Sequence, residues 1–403
     1  MGVEWFALVV PVLCCVIMLL LFRKKIVWWE LALPTAVTAV VILLFKWAAF
    51  RYNIYDVEYR GSVIVSVRYY EYWETWVSQM CTRQVACGEN CSTDANGNRT
   101  CTTVYCTEYY DCSYCDHNPA EWYAYDNYGN KYPISEAYYN ELKARWKATP
   151  EFIELNRSIS HHGGCGKDGD AYSIAWDGNP HSADAAVREH SYKNYVQGSH
   201  SAFKMPYVSD KEAKKLGLYK YPELYRPYKQ PAILGLDSLK MAQSAKDSIL
   251  ALYEYFNGYY GSEKHVKMFI LLFPDKPIGI SFQQEYYWDG GNDNELVVVI
   301  GYDSRTNRLS WVRPFGWADE KRVFIDVRED IMEIGVLDFY RFYQPLGQDI
   351  EKYWKPKNFR DFNYLHVDLS TTQLIWLYIL TTLVSVGVSI YCVKNQFEYD
   401  QRY

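Results

Sequence analysis

Eight cysteines lie outside the apolar ends of the chain: Cys81, Cys87, Cys91, Cys101, Cys106, Cys112, Cys115 and Cys165. Four of them crowd into "CTTVYCTEYYDCSYCDHNP" at 101–119, with His117 close behind. Thiolates at short spacing hold zinc, and Cys112-x-x-Cys115 has the form of one half-site. The other close pairs, Cys87 with Cys91 and Cys101 with Cys106, are spaced more loosely, and a lone C-x-x-C also suits thiol–disulfide exchange. An even count in a translocated segment gives a disulfide framework instead, with on the order of a hundred possible pairings. One pairing is suggested locally. Cys91 and Cys101 flank an Asn96-Gly97 turn signal and are expected to bridge the arms of a hairpin. On the disulfide reading, His117 is a turn residue ahead of Pro119.

A second group stands in "SISHHGGCGKDGDAYSIAWDGNPH" at 158–181. His161, His162, Asp168, Asp170 and Asp177 surround Cys165, with glycines that let backbone approach a ligand. Imidazole and carboxylate together suit a metal such as zinc, and Cys165 beside a histidine suits a nucleophile. A Gly-rich loop tied down by a Cys165 disulfide accounts for the same residues. His190 and His200 can join such a site only through folding. The third group is "DGGNDNE" at 289–295, where Asp289, Asp293 and Glu295 offer oxygen ligands of the kind calcium accepts. Its register is too short for an EF-hand loop, and a polar turn before a buried strand explains it equally well. No dinucleotide fingerprint, phosphate-loop lysine, nucleophile elbow or HExxH occurs. No resident cofactor is therefore expected, and calcium and zinc are the ions these side chains would take.

The elements that must position these residues begin in a membrane. Residues 5–22, 31–50 and 374–393 are long and apolar enough to cross a ~30 Å hydrocarbon layer. The first lacks a basic leader and a small-residue cleavage site, so a retained anchor is expected, not a signal peptide. Arg23, Lys24 and Lys25 occupy the short loop between the first two spans. By the positive-inside rule the 23–30 loop and the C-terminal tail are cytoplasmic, and residues 51–371 lie outside. Thr381, Ser385 and Ser389 recur every four residues on one face of the third span, for close packing against the other spans or another copy. The expected partners are the bilayer and another membrane protein or a second copy of this chain. A net charge of −6, with no basic cluster beyond 23–25, disfavours nucleic acid.

The chain's 39 tyrosines favour β-rich, half-exposed surfaces. "SVIVSVRYYEYWETWV" from 62 reads as strand, and hairpins are expected around 96–97 and 129–130. A helix over 135–146 is capped by Ser135, and 171–178 holds a short strand inside a loop-rich stretch from 156 to 206. Then come a helix from 236 ending near Gly258, a strand at 266–273 buried on both faces, a short helix at 280–288, and a strand, turn and strand from 295. The fold class is an α+β membrane-anchored protein with three transmembrane helices, a Cys-rich β-hairpin region and an α/β sandwich-like domain. The divisions are a transmembrane hairpin (1–50), a Cys-rich β region with a helix (51–150), a loop-rich Gly/His/Asp segment (151–235), an α/β domain (236–345), a juxtamembrane segment (346–371), a transmembrane helix (372–393) and a tail (394–403).

The helix, the strand "VKMFILLF" and "YYWDGGNDNELVVVIGYDSRTNRLSWV" together give residues 237–330 a resemblance to the TPM domain, named for thylakoid, photosystem-repair and acetylcholine-receptor-modulator proteins. That resemblance implies membrane tethering outside the cytoplasm and, for some members, phosphatase activity or calcium binding through acidic loops. The Cys-rich region has no place in that family. The whole ectodomain is similar to uncharacterised membrane proteins of bacteria and large phages, which implies no activity. Two functions are therefore expected: an extracytoplasmic binding or assembly module without catalysis, or a TPM-like metal-dependent phosphatase. A thiol-exchange or zinc-binding protein is a third.

Overall fold

The computed structural model describes residues 3–22, 26–93, 95–155, 165–180, 182–199, 206–225, 228–365 and 367–395. A short 3-10 turn, Val3–Leu8, leads into helix α1 (Val9–Phe22), followed by α2 (Trp28–Asn53). Among the described residues, the 3-10 turn with α1 (Val3–Phe22), α2 and the last helix are the three stretches long and apolar enough to cross a membrane. Thr381, Ser385 and Ser389 of the last helix are buried, and Ser385 Oγ lies 2.8 Å from Thr38 Oγ1 of α2. Small hydroxylated side chains let the helix backbones approach and hydrogen-bond across the contact. Lys46 pairs with Glu4, and the Tyr378 hydroxyl donates to Val3 O at 2.7 Å. The N-terminal turn, the end of α2 and the start of the last helix therefore share one end of the bundle. The two-sheet part of the chain grows from that same end. Residues 23–25, which carry the charge signal for orientation, lie outside the described residues.

One residue after α2, β1 (Tyr55–Tyr70) begins the first sheet. Next come β2 (Trp73–Val77), β3 (Met80–Thr93), β4 (Arg99–Asp111), β5 (Tyr114–Asn118), β6 (Glu121–Asp126) and β7 (Lys131–Pro133). Helix α3 (Glu136–Trp146) starts where Ser135 accepts a hydrogen bond from Tyr138 N, the cap read from sequence. Strands β8 (Glu151–Ile153), β9 (Ala171–Ala175) and β10 (Asp184–Lys193) follow, then the single turn α4 (Tyr195–Gly198) and helix α5 (Asp210–Leu216). The sheet has the order β7-β6-β1-β9-β8, with β10 also antiparallel to β1 over 55–64. Ile64, Val67, Ala124 and Ile174 bury against Leu142 and Trp146 of α3. The β6–β7 turn falls at Gly129 (φ 82°), as its sequence requires. His117 lies within β5, stacked on Tyr72, instead of in a turn.

The second sheet runs β11 (Ile233–Leu234), β12 (Lys267–Pro274), β13 (Glu295–Tyr302) and β14 (Leu309–Gly316), the first three parallel and the last antiparallel. Helix α6 (Gln243–Lys264) precedes β12, and α7 (Gly279–Tyr287) precedes β13. After the sheet come α8 (Arg322–Ile334) and α9 (Phe339–Tyr353), and the chain closes with α10 (Thr371–Asn395), the last apolar helix. Met268, Ile270, Leu272, Leu296, Val298 and Ile300 face α6, α8 and α9, whereas Phe269, Leu271, Phe273, Val297 and Val299 face α5 and α7. Burial on both faces explains why these strands read as unbroken apolar runs. Helices α8 and α9 carry apolar residues at helical spacing, and α9 runs through 345, where the sequence division between α/β domain and juxtamembrane segment falls.

Helix α6 joins the two sheets. The sequence reading ends it near Gly258, but it continues to Lys264, and the glycines serve contact instead. A Cβ at Gly61 of β1 would stand 1.9 Å from Asn257 O, and one at Gly261 would stand 2.8 Å from Gly61 Cα. Strand and helix backbones touch along this seam, and only glycine permits that approach.

Candidate functional site

The cysteines settle into four disulfides among the described residues: Cys81–Cys112, Cys87–Cys106, Cys91–Cys101 and Cys115–Cys165. The bridge across the 91–101 hairpin is the one its sequence suggests. Cys112 and Cys115 bond to different partners, so they do not form a C-x-x-C redox pair. The groups close enough to share an ion among the described residues are Glu74/Cys115/Cys165 and Glu89/Cys91/Cys101. Their sulfurs are all disulfide-bonded, and a disulfide sulfur offers no thiolate. The remaining cysteines, Cys14, Cys15 and Cys392, are free and belong to the apolar helices.

Strands β3 and β4 form a ribbon of about 45 Å, taking about 3.4 Å per residue. Every residue of β4 is exposed. Such a two-stranded ribbon is barely stable alone, and three of the four disulfides lie along it. Pairing register and alternation place Tyr105 and Tyr109 on one face with Thr82, Gln84, Ala86 and Thr107. Between Thr82 and Ala86 that face has no charge. The opposite face carries Cys81, Cys106 and an Arg83–Glu108 ion pair at 2.8 Å. Tyr105 and Tyr109 are 63% and 69% exposed, well above what a packed tyrosine shows.

The His/Asp loop of the sequence reading does not assemble around a ligand among the described residues. Asp170 accepts from Leu155 N at 3.0 Å, and Asp177 accepts from the Ser182 hydroxyl at 2.6 Å, each fixing a turn. Asp168 Oδ1 is buried without a hydrogen bond. Cys165 is fully buried in its disulfide and is no free nucleophile. His161, His162 and His200 lie outside the described residues.

The acidic turn 289–295 leads to a more ordered place. Asp289, Gly290 and Gly291 take three successive positive φ values, and the loop curls over Glu295. Glu295 is fully buried. Tyr221 donates to its Oε1, Asn292 Nδ2 reaches the same oxygen at 3.0 Å, and Asn292 N reaches Oε2 at 3.0 Å. Asp289, Asp293 and Glu295 therefore do not converge on one point as calcium ligands would. Asp293 turns instead toward β1. There Asp56, Glu58 and Arg60 alternate onto one face, opposite Tyr192, His190 and Arg188 of β10. Glu58 is 1% exposed, with Arg60 Nε at 2.6 Å and His190 Nδ1 at 2.8 Å from its Oε1. Asp293 stands beside Glu58, and its Oδ1 is buried without a hydrogen bond.

Burial is the first cause that holds the Asp293 carboxyl protonated far above the ordinary range, and the adjoining charge of Glu58 adds to it. Burial likewise raises Glu295 despite its donors. Lys267, fully buried at the start of β12, is pushed down to about 8 by desolvation, against the pull of Glu254 and Glu295. Tyr192 donates to Asp56 at 2.9 Å, and burial raises its hydroxyl first, Asp56 second. Asp293, His190, Tyr192 and Arg60 open onto a cleft of about 500 Å³ with Lys193, Tyr195 and Arg360 on its other walls. The acidic turn was visible in the sequence. Glu58, Arg60 and Lys267 were not, because strand alternation brings them in from elsewhere in the chain. No protein family, curated protein or solved structure matches this chain.

Proposed function

We propose that this chain is a membrane-tethered docking protein that presents the disulfide-stapled ribbon outside the cytoplasm to a protein partner. The observation that carries the reading is an arm of about 45 Å, exposed along all of β4 and held by three disulfides. It adds no apolar core, so its stabilisation serves what it touches. Its uncharged Tyr105/Tyr109 face suits an apolar, aromatic-accepting protein surface, since tyrosine supplies large contact area with little loss of side-chain freedom. Eight paired cysteines on one side and three free ones in the spans support an oxidising compartment for residues 51–371. A photo-crosslinking residue at Tyr109 in the full-length protein, in its native membrane, should give a discrete adduct that Tyr105→Ser abolishes. The same probe at the exposed Tyr207 should give none. Equal labelling at both positions sinks the docking role.

A second reading is favoured by Asp293 on the wall of the cleft. A protonated carboxyl beside a second carboxylate is a general acid in waiting, and the TPM-like resemblance would make the substrate a phosphate ester. Hydrolysis of such an ester by the full chain, lost on Asp293→Asn, supports it. Undiminished hydrolysis in that variant removes it.

A further inference from the structure

Lys193 lies directly across from Tyr55, two residues beyond the end of α2. Tyr195 meets Phe50 of α2 at 6.4 Å between ring centroids, and Asp368 N bonds Gly198 O at 3.2 Å just before α10. The floor of the 500 Å³ cleft is therefore level with the outer ends of two apolar helices. A second cavity of about 310 Å³ lies below it, with Trp47, Phe50, Leu365, Val367 and Leu369 as its apolar wall and the Glu4–Lys46 pair, Asn53 and Asp368 as its polar one. Phe50 lines the lower cavity and touches Tyr195, which lines the upper one. The result is one polar chamber and one with an apolar wall, joined where Phe50 meets Tyr195.

The charges of the upper chamber do not cancel. Arg60 is committed to Glu58. Lys193 and Arg360, both exposed at the rim, have no acidic partner among the described residues. Two unpaired cations facing a polar space at headgroup depth attract an anion there. His190 and Asp293 deeper in the cleft can hydrogen-bond whatever the headgroup carries beyond its phosphate. We propose that the paired cavities hold one anionic phospholipid, with its phosphate between Lys193 and Arg360, its polar headgroup against His190 and Asp293, and an acyl chain along Trp47, Phe50 and Leu369.

This site rests on the three apolar helices lying in a bilayer, which reconstitution itself checks, and it is independent of the ribbon. Full-length protein is placed in nanodiscs of equal phosphatidylglycerol and phosphatidylcholine with matched chains. Bound lipid is then counted by native mass spectrometry after partial delipidation. Wild type should retain phosphatidylglycerol over phosphatidylcholine on the order of ten-fold or more. Lys193→Ala with Arg360→Ala should bring the ratio near one, while Lys211→Ala with Lys214→Ala on α5 leaves it unchanged. Both pairs are exposed, so an unchanged thermal transition confirms that each variant is folded. A ratio near one in wild type overturns the proposal, and so does a preference that survives the Lys193/Arg360 change. Free glycerol phosphate at millimolar concentration should not displace the lipid; displacement would assign the site to a soluble phosphate and overturn the lipid.

Discussion

Asp293 shows what a single buried acid does to the energetics of this fold. Its carboxyl is raised in the folded chain, so the folded state holds a proton that the unfolded chain releases near pH 4. The stability this proton supplies is complete below the unfolded value and is lost as pH rises through the folded one. Asp293→Asn keeps the shape and removes the titration. The variant should therefore match wild type at pH 4 and be more stable at pH 8, by about 1–3 kcal/mol. Thermal unfolding across that range checks it, and equal melting temperatures at pH 8 would falsify the assignment. Tyr221 works in the opposite sense. Tyr221→Phe removes a donor from the buried Glu295 and should cost about 1.5–3 kcal/mol at neutral pH. Sequence exposed Asp293 and Glu295 because Asp-Gly-Gly before an apolar run is a turn with acids on it. It could not expose Glu58, and it offered His190 only as a histidine that folding would have to bring to the 158–181 loop, since "YDVEYRGS" and "DAAVREHSYK" alternate charge and polarity in a way that also suits a solvated strand. Only the β1–β10 register turns that alternation into a half-buried face with Glu58 at its centre.

At the scale of elements, the disulfides divide into those that hold the ribbon and one that holds the domain. Cys87–Cys106 closes a loop of 19 residues within an exposed ribbon, whereas Cys115–Cys165 ties β5 to a fully buried sulfur 50 residues on. Replacing Cys87 and Cys106 by Ser should speed hydrogen exchange over 82–108 and leave the main thermal transition unmoved. Replacing Cys115 and Cys165 by Ser should lower that transition by about 2–5 kcal/mol in stability. If both pairs shift the main transition equally, the ribbon is not an independent arm. The hairpin itself was readable from Asn96-Gly97, and so were α3, α7 and the buried strands β12 and β13. Strand β10 was not, because its ten residues lie in a stretch whose Gly, His and Asp content reads as loop. Of the ribbon, the outgoing arm β3 was hidden, since an exposed strand carries no apolar alternation to extend the pattern.

The whole molecule depends on one backbone seam. The β1 sheet is joined to the apolar helices through α2, and the second sheet through the segment before α10, so both units are tethered at the same end. Between them, β1 meets α6 where Gly61, Gly258 and Gly261 let main chain touch main chain. The same seam carries Asn294 Nδ2 to Tyr59 O at 2.9 Å and Asp293 to Glu58. The cleft therefore exists only while the two units are docked. A helix-stop reading of Gly258 fails for a physical reason: glycine weakens a helix locally, but a close crossing recovers that cost through packing. Gly61→Ala places a methyl group 1.9 Å from Asn257 O, a backbone atom that cannot swing aside. Strand and helix must separate, at a cost of about 1–3 kcal/mol or more. The separation should appear twice in the full-length protein. Calorimetry should resolve two transitions where wild type has one, and hydrogen exchange should rise together at 58–62 and 257–261. An unchanged single transition would mean that the sheets are held by the apolar helices alone, with the cleft a passive gap between them.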